Sequence, residues 1–166
     1  LFRSFGDFDV GSSAAALCCG AASPTRALIR GNGRPIHYFT ISSLGNSTDF
    51  GDTNINDTLL GALASNTRAL FAGGENASGS SGGETIDFVT IASTGNASDF
   101  GDMTTNVNKA VSGTASRTRG IFNGAYESNV ISYVTIATTG NATDFGDLTV
   151  ARGLSGSTSN SHGGIA

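Results

Sequence analysis

The stretch Ile131–Asp147, ISYVTIATTGNATDFGD, decides the fold, because the chain writes it three times. The other copies are Ile86–Asp102 (IDFVTIASTGNASDFGD) and Ile36–Asp52 (IHYFTISSLGNSTDFGD). Its closing Phe-Gly-Asp also occurs at Phe5-Gly6-Asp7, so the triplet returns at Phe50, Phe100 and Phe145 with intervals of 45, 50 and 45 residues. Self-similarity with a period in the forties marks stacked supersecondary units rather than one continuous core.

Each copy predicts an extended strand. In the central one, Ile86 and Phe88 fall on one face and Val89 and Ile91 on the other. A strand apolar on both faces needs cover on both, which sheets stacked against each other supply. The Gly-Asn that follows reads as a turn, since both residues tolerate positive φ. Upstream lie Thr25-Arg26-Ala27-Leu28-Ile29, Thr67-Arg68-Ala69-Leu70-Phe71 and Thr118-Arg119-Gly120-Ile121-Phe122, one further strand per unit. Before two of these come small-residue strands, Leu59–Asn66 and Lys109–Ser116, suited to the place where sheets crowd most. The longer interval is explained by Glu75–Gly83 (ENASGSSGG), a hairpin excursion that a sheet accommodates at little cost.

Composition agrees with an all-β chain. Of 166 residues 24 are Gly, only 13% are charged, Pro is 2 and Trp is absent. Nine Lys and Arg, scattered singly in a chain of net charge −4, argue against nucleic acid and against an anionic membrane surface. No run of apolar residues is long enough for a membrane-spanning helix. The start at Leu1 suggests a removed leader or a segment of a longer polypeptide. Cys18 and Cys19 are adjacent, where a disulfide is strained, and read as two small buried thiols.

Ala69–Gly74 (ALFAGG) resembles the Gly-Gly strand of kelch repeats, and Val150-Ala151-Arg152 resembles their Arg-bearing entry. The Phe-Gly-Asp phenylalanines stand about where kelch blades hold a Trp. The resemblance implies a kelch-like β-propeller of four-stranded antiparallel blades, as a partial or oligomer-completed ring. The alternative is an open stacked β-repeat array. In kelch order the single repeat domain, residues 1–166, comprises a strand at 5–10, blades at about 12–53, 59–103 and 109–148, and terminal strands within 152–166. Propellers close with about four to eight blades. The chain is therefore expected to be a fragment, to join its split terminal strands, or to complete a blade with a neighbour. Thr135–Thr149 (TIATTGNATDFGDLT) is also similar to repeats of predicted phage structural proteins of tail-fibre type.

Candidate chemistry is sparse. The pairs Asp49/Asp52, Asp99/Asp102 and Asp144/Asp147 suggest a calcium loop, yet Ca2+ needs about six to eight oxygen ligands and the pair supplies part of a cage. The other reading is structural: one Asp caps the turn and the other pairs with Arg26, Arg68 or Arg119 between blades. Recurrence in every unit favours that role. The repeat residues expected to hold the stack are thus Arg26, Arg68 and Arg119 together with Phe50, Gly51, Asp52, Phe100, Gly101, Asp102, Phe145, Gly146 and Asp147.

Asn46, Asn56, Asn76, Asn96 and Asn141 each open an Asn-x-Ser/Thr sequon, read either as glycan acceptors or as turn chemistry. His37 and His162 stand apart without ligand-spaced partners, no nucleophile elbow is present, and no Gly-rich stretch leads into a phosphate-binding helix. Tyr38 and Tyr133 are expected in the core, while Tyr126 is a surface candidate.

No catalytic, cofactor or metal residue is assigned, and no cofactor is expected. The expected function is that of a non-enzymatic structural protein of a phage tail fibre or extracellular filament, located on a virion or outside the cell. The alternative is a carbohydrate- or host-receptor-binding propeller module contacting a surface glycan through Glu75–Gly83. Expected partners are further copies or further blades.

Overall fold

The computed structural model describes residues 18–31, 33–56, 60–74, 83–105, 111–125, 128–153 and 155–158. They form twelve strands and no helix. Sheet I contains β1 (Cys19–Ala22), β2 (Arg26–Arg30), β3 (Pro35–Thr40) and β4 (Thr48–Asp52). Sheet II contains β5 (Gly61–Ala64), β6 (Arg68–Ala72), β7 (Thr85–Thr90) and β8 (Ser98–Asp102). Sheet III contains β9 (Ser112–Ala115), β10 (Arg119–Asn123), β11 (Val130–Thr135) and β12 (Thr143–Asp147). Each is a four-stranded antiparallel meander in chain order.

The expected strand at 5–10 lies outside the described residues, as do Tyr126, His162, Asn76 and most of Glu75–Gly83. Residues 155–158, expected within a terminal strand, make no ladder. They lie on β9 through side chains: Ser157 donates to the Gly113 carbonyl at 2.6 Å, and Thr114 to the Thr158 carbonyl at 2.8 Å.

The first hairpin of every sheet closes with the same device. In Ser23-Pro24-Thr25-Arg26, Ser65-Asn66-Thr67-Arg68 and Ser116-Arg117-Thr118-Arg119, the serine N–H donates to the arginine carbonyl at 2.9 Å. The serine Oγ in turn accepts from the arginine N–H at 3.1–3.2 Å. Such side-chain turns fix the loop without help from neighbouring sheets.

The third and fourth strands pair with a one-residue slip in each sheet, between Ile36 and His37, Ile86 and Asp87, and Ile131 and Ser132. Opposite the slip sits the Phe-Gly-Asp glycine, at φ +141°, +142° and +137°. This is a β-bulge that glycine occupies without strain.

The apolar side chains bury between sheets rather than within one. Ile86, Leu70, Phe100 and Leu63 of sheet II pack with Phe122, Val134, Ile136 and Val111 of sheet III. On its other face, Val89, Ile91, Ala69 and Phe71 of sheet II pack with Leu28, Ile36, Phe50 and Ala21 of sheet I. Strand β7 thus feeds both cores, as its two apolar faces predict. Fully burying a side chain such as Phe71, Phe122 or Leu28 contributes about 1.5–3 kcal/mol, so the joints between sheets hold most of the fold's hydrophobic stabilisation.

At the inner edge β5 lies between β1 and β9. There the sheets come close enough to require glycine at points: a Cβ on Gly61 would stand 2.9 Å from Val111 Cγ1.

Phe-Gly-Asp glycines with equal backbone angles face unequal surroundings. A Cβ on Gly101 would lie 2.5 Å from the Gly140 backbone, whereas one on Gly146 meets nothing within 4 Å. Gly101→Ala should therefore cost about 1–3 kcal/mol more than Gly146→Ala, the range for overpacking a tight site. Urea midpoints of the two variants measure this, and equal midpoints would show that backbone strain alone accounts for the glycine.

Candidate assembly surface

The three sheets meet along two seams built from the same parts. In the first, the turn that follows β7 lies along β4. Gly95 N–H donates to the Phe50 carbonyl at 2.7 Å and Ala97 N–H to the Asp52 carbonyl at 2.8 Å. Asp52 N–H donates to Asn96 Oδ1 at 3.0 Å. In the second, Gly140 and Ala142 bind the Phe100 and Asp102 carbonyls, both at 2.7 Å, and Asp102 N–H reaches Asn141 Oδ1 at 3.1 Å. Each Gly-Asn turn thereby satisfies the outer edge of the preceding sheet, which would otherwise present unpaired backbone groups.

The repeat arginines cross the same seams toward backbone. Arg26 donates to the Ile91 carbonyl at 2.9 Å, and Arg68 to the Ile136 and Ala137 carbonyls at 3.1 and 2.9 Å. Their guanidinium groups lie over Tyr38 and Phe88, each 4.7 Å from the ring centroid. Those rings meet Phe50 and Phe100 edge-on, at 5.8 and 5.9 Å. The expected Arg–Asp pairing is therefore replaced by carbonyl capping and cation–π stacking. A guanidinium with several donors on an aromatic face suits a joint that offers carbonyls and rings. Tyr38 and Tyr133 are correspondingly half-buried members of these stacks rather than full core residues.

The turn-capping half of the aspartate expectation fits Asp99 and Asp144, whose Oδ1 atoms accept from Gly101 and Gly146 N–H at 3.2 and 2.9 Å. Among the described residues no group of three or more His, Cys, Asp or Glu converges as a metal site would require. Asn46, Asn56, Asn96 and Asn141 are exposed, and the seam bonds of Asn96 and Asn141 give the sequon asparagine a structural task of its own.

Sequence reading missed two buried charged groups, Asp87 and Arg30. Asp87 is fully buried and accepts from Asn54 N–H at 2.8 Å, Asn54 Nδ2 at 2.9 Å and Ile55 N–H at 3.2 Å. It locks the segment leaving sheet I onto sheet II. Sheet III makes the smaller contact of Thr104 with Ser132 at 2.6 Å at the matching position, and sheet I has His37 there. Because the residue differs in every copy, the repeat pattern gave no signal for it. Arg30, also buried, likewise pins the connection after β4 through Thr53 Oγ1 at 3.0 Å and the Ile55 carbonyl at 2.8 Å.

Sheet III carries the seam's receiving half with no turn upon it among the described residues. Arg119 is exposed and stacks over Tyr133 at 4.9 Å, and Phe145 meets Tyr133 edge-on at 6.0 Å. Phe50 and Phe100 are each 2% exposed while Phe145 is 49% exposed. On the opposite side of the stack Ile41 is 51% exposed, although its counterparts Ile91 and Ile136 are buried.

A cavity of about 350 Å3 opens among β1, β2, β5, Gly113, Ser157 and Thr158. Its lining has only Gly, Ala, Leu, Ile, Ser and Thr, so it offers shape and hydroxyls but no titratable group. No protein-family model matches the chain, and no curated protein matches it.

Both cysteines are thiols, as expected, but Cys18 is exposed rather than buried. Cys19 is half-buried with its thiol desolvated; burial pushes it from 9.0 up to about 12, with Arg30 offsetting part of the rise. A thiol agent at pH 8 should label Cys18 promptly and Cys19 only on unfolding, because the thiolate is the reactive form. The stability held by the neutral Cys19 thiol is complete below pH 9 and is lost as pH rises toward about 12. Mass-mapped labelling with and without urea checks the assignment, and equal labelling of both thiols in the folded protein would refute it.

Asp87→Ala should lower stability by roughly 1–3 kcal/mol, since it leaves buried N–H groups without an acceptor. A thermal melt unchanged by that substitution would show that Asn54 and Ile55 are held by other contacts.

Proposed function

We propose that this chain is a non-enzymatic structural protein: kelch-like blades of a phage tail fibre or other extracellular appendage. The observation that carries the reading is the seam, made twice from the same bonds and, among the described residues, left with its receiving half open on sheet III. A joint that repeats along a chain extends an object, and stability in such arrays comes from nearest-neighbour contacts. Nearly all of the conserved-in-copy residues, the Gly-Asn turns, the Phe-Gly-Asp strands and the Thr-Arg entries, are spent on those contacts. The similarity of Thr135–Thr149 to tail-fibre-type repeats supports the setting.

Purified chain should form rings or filaments whose mass is a multiple of 16.7 kDa. Light scattering after size exclusion and negative-stain imaging would measure it. A chain that stays a single 16.7 kDa particle at every concentration examined would sink the reading.

A further inference from the structure

We propose that the open face of sheet III is an acceptor for a strand-and-turn segment of the pattern Ile-x-x-x-Gly-Asn, presented by another polypeptide. The two internal seams define what that face takes. At each, an incoming isoleucine is buried, its carbonyl accepts from the arginine of the preceding sheet, and four residues later a Gly-Asn turn pairs with the Phe-Gly-Asp edge.

The receiving parts on sheet III are already in position. Arg119 lies on Tyr133 at 4.9 Å, within 0.2 Å of the distances in the completed seams, and Tyr133 meets Phe145 at 6.0 Å against 5.8 and 5.9 Å there. What differs is the occupant: among the described residues no turn donates to the Phe145 or Asp147 carbonyls, and no carbonyl caps Arg119. Gly146 keeps its bulge angle of +137° with free space where Gly101 has the Gly140 backbone. The acceptor is preorganised, so binding need not pay to form it.

The inner half of the same face decides the size of the partner. Ser157 is bound there by Ser112 and by the Gly113 carbonyl, both at 2.6 Å, so a complete second sheet must displace residues 155–158 before its inner strand can seat on β9 as β9 seats on β5. A short segment that engages only the outer strands has no such conflict. Main-chain pairing to an exposed edge plus one pocketed side chain is the logic of strand addition. The specificity would rest on the isoleucine under Arg119 and on the turn asparagine, whose Oδ1 accepts from the Phe-Gly-Asp aspartate N–H in both internal seams, while the bare Gly146 leaves room for the turn's backbone.

The inference uses the seam geometry and not the protein's setting. Peptide binding by a chain that never assembles would keep it and end the appendage reading.

The test uses the full chain and a labelled synthetic peptide of residues 134–143, VTIATTGNAT. Anisotropy should show saturable binding of one peptide per chain within about 1 mM, the weak range expected of a segment that pays its own ordering cost. Phe145→Asp and Arg119→Ala should each weaken it by about tenfold or more, with unchanged melting temperatures, as for central aromatic and arginine contacts. A peptide with Ala-Ala in place of Gly-Asn should not bind. Absence of saturation by about 1 mM, or binding indifferent to both protein variants, would overturn the proposal.

Discussion

The fold depends on how closely one sheet's backbone can approach the next at the Phe-Gly-Asp bulge. Gly51 and Gly101 lie directly under the Gly95 and Gly140 peptides, where a single added carbon would collide with main chain. That approach lets the turn donate two N–H groups to the preceding edge and receive one in return at its asparagine. The bulge supplies the necessary φ, the missing side chain supplies the space, and the phenylalanine beside it fills the core just behind the joint.

From this joint the other features follow. With the sheets held so near, each sheet's apolar residues find partners in its neighbour rather than across a private core, and β7 becomes apolar on both faces. Edge strands that would otherwise invite indiscriminate pairing are consumed by a specific turn. The charge economy of the chain also makes sense. Arginines are used for their planar fork and stacking face, with carbonyls as acceptors, so each seam holds a cation without requiring a paired acid. Asp87, the buried acid among the described residues that locks two sheets together, is met by three N–H donors instead of a positive side chain.

Much of this could be read in the sequence. The period, the two-faced strand at Ile86–Ile91, the Gly-Asn turns and the small inner strands all follow from residue spacing and turn chemistry, and the three four-stranded sheets match them. The roles of particular side chains could not be read as well. Thr-Arg stood out as a repeated pair, yet whether its arginine meets an aspartate, a carbonyl or a ring depends on angles set only when two sheets pack. Asp87 and Arg30 were hidden for a different reason: they break the repeat, so a search for recurrence passes over them. Cys18 shows a third limit, because a small apolar neighbourhood in sequence does not fix which side of a chain faces water at a strand's entrance.

By itself the sequence determined that this protein is a repeated β-structure with glycine-dependent turns, because local conformational preference and period-two burial act over a few residues at a time. Tertiary structure alone decided that the repeats are joined through main-chain carbonyls, that arginine–aromatic stacks line each joint, and that among the described residues one copy of the joint stands open at Arg119 and Phe145. Those outcomes depend on hydrogen-bond approach between residues far apart in the chain, as with Asp52 and Asn96 at 3.0 Å, and no local rule carries that distance.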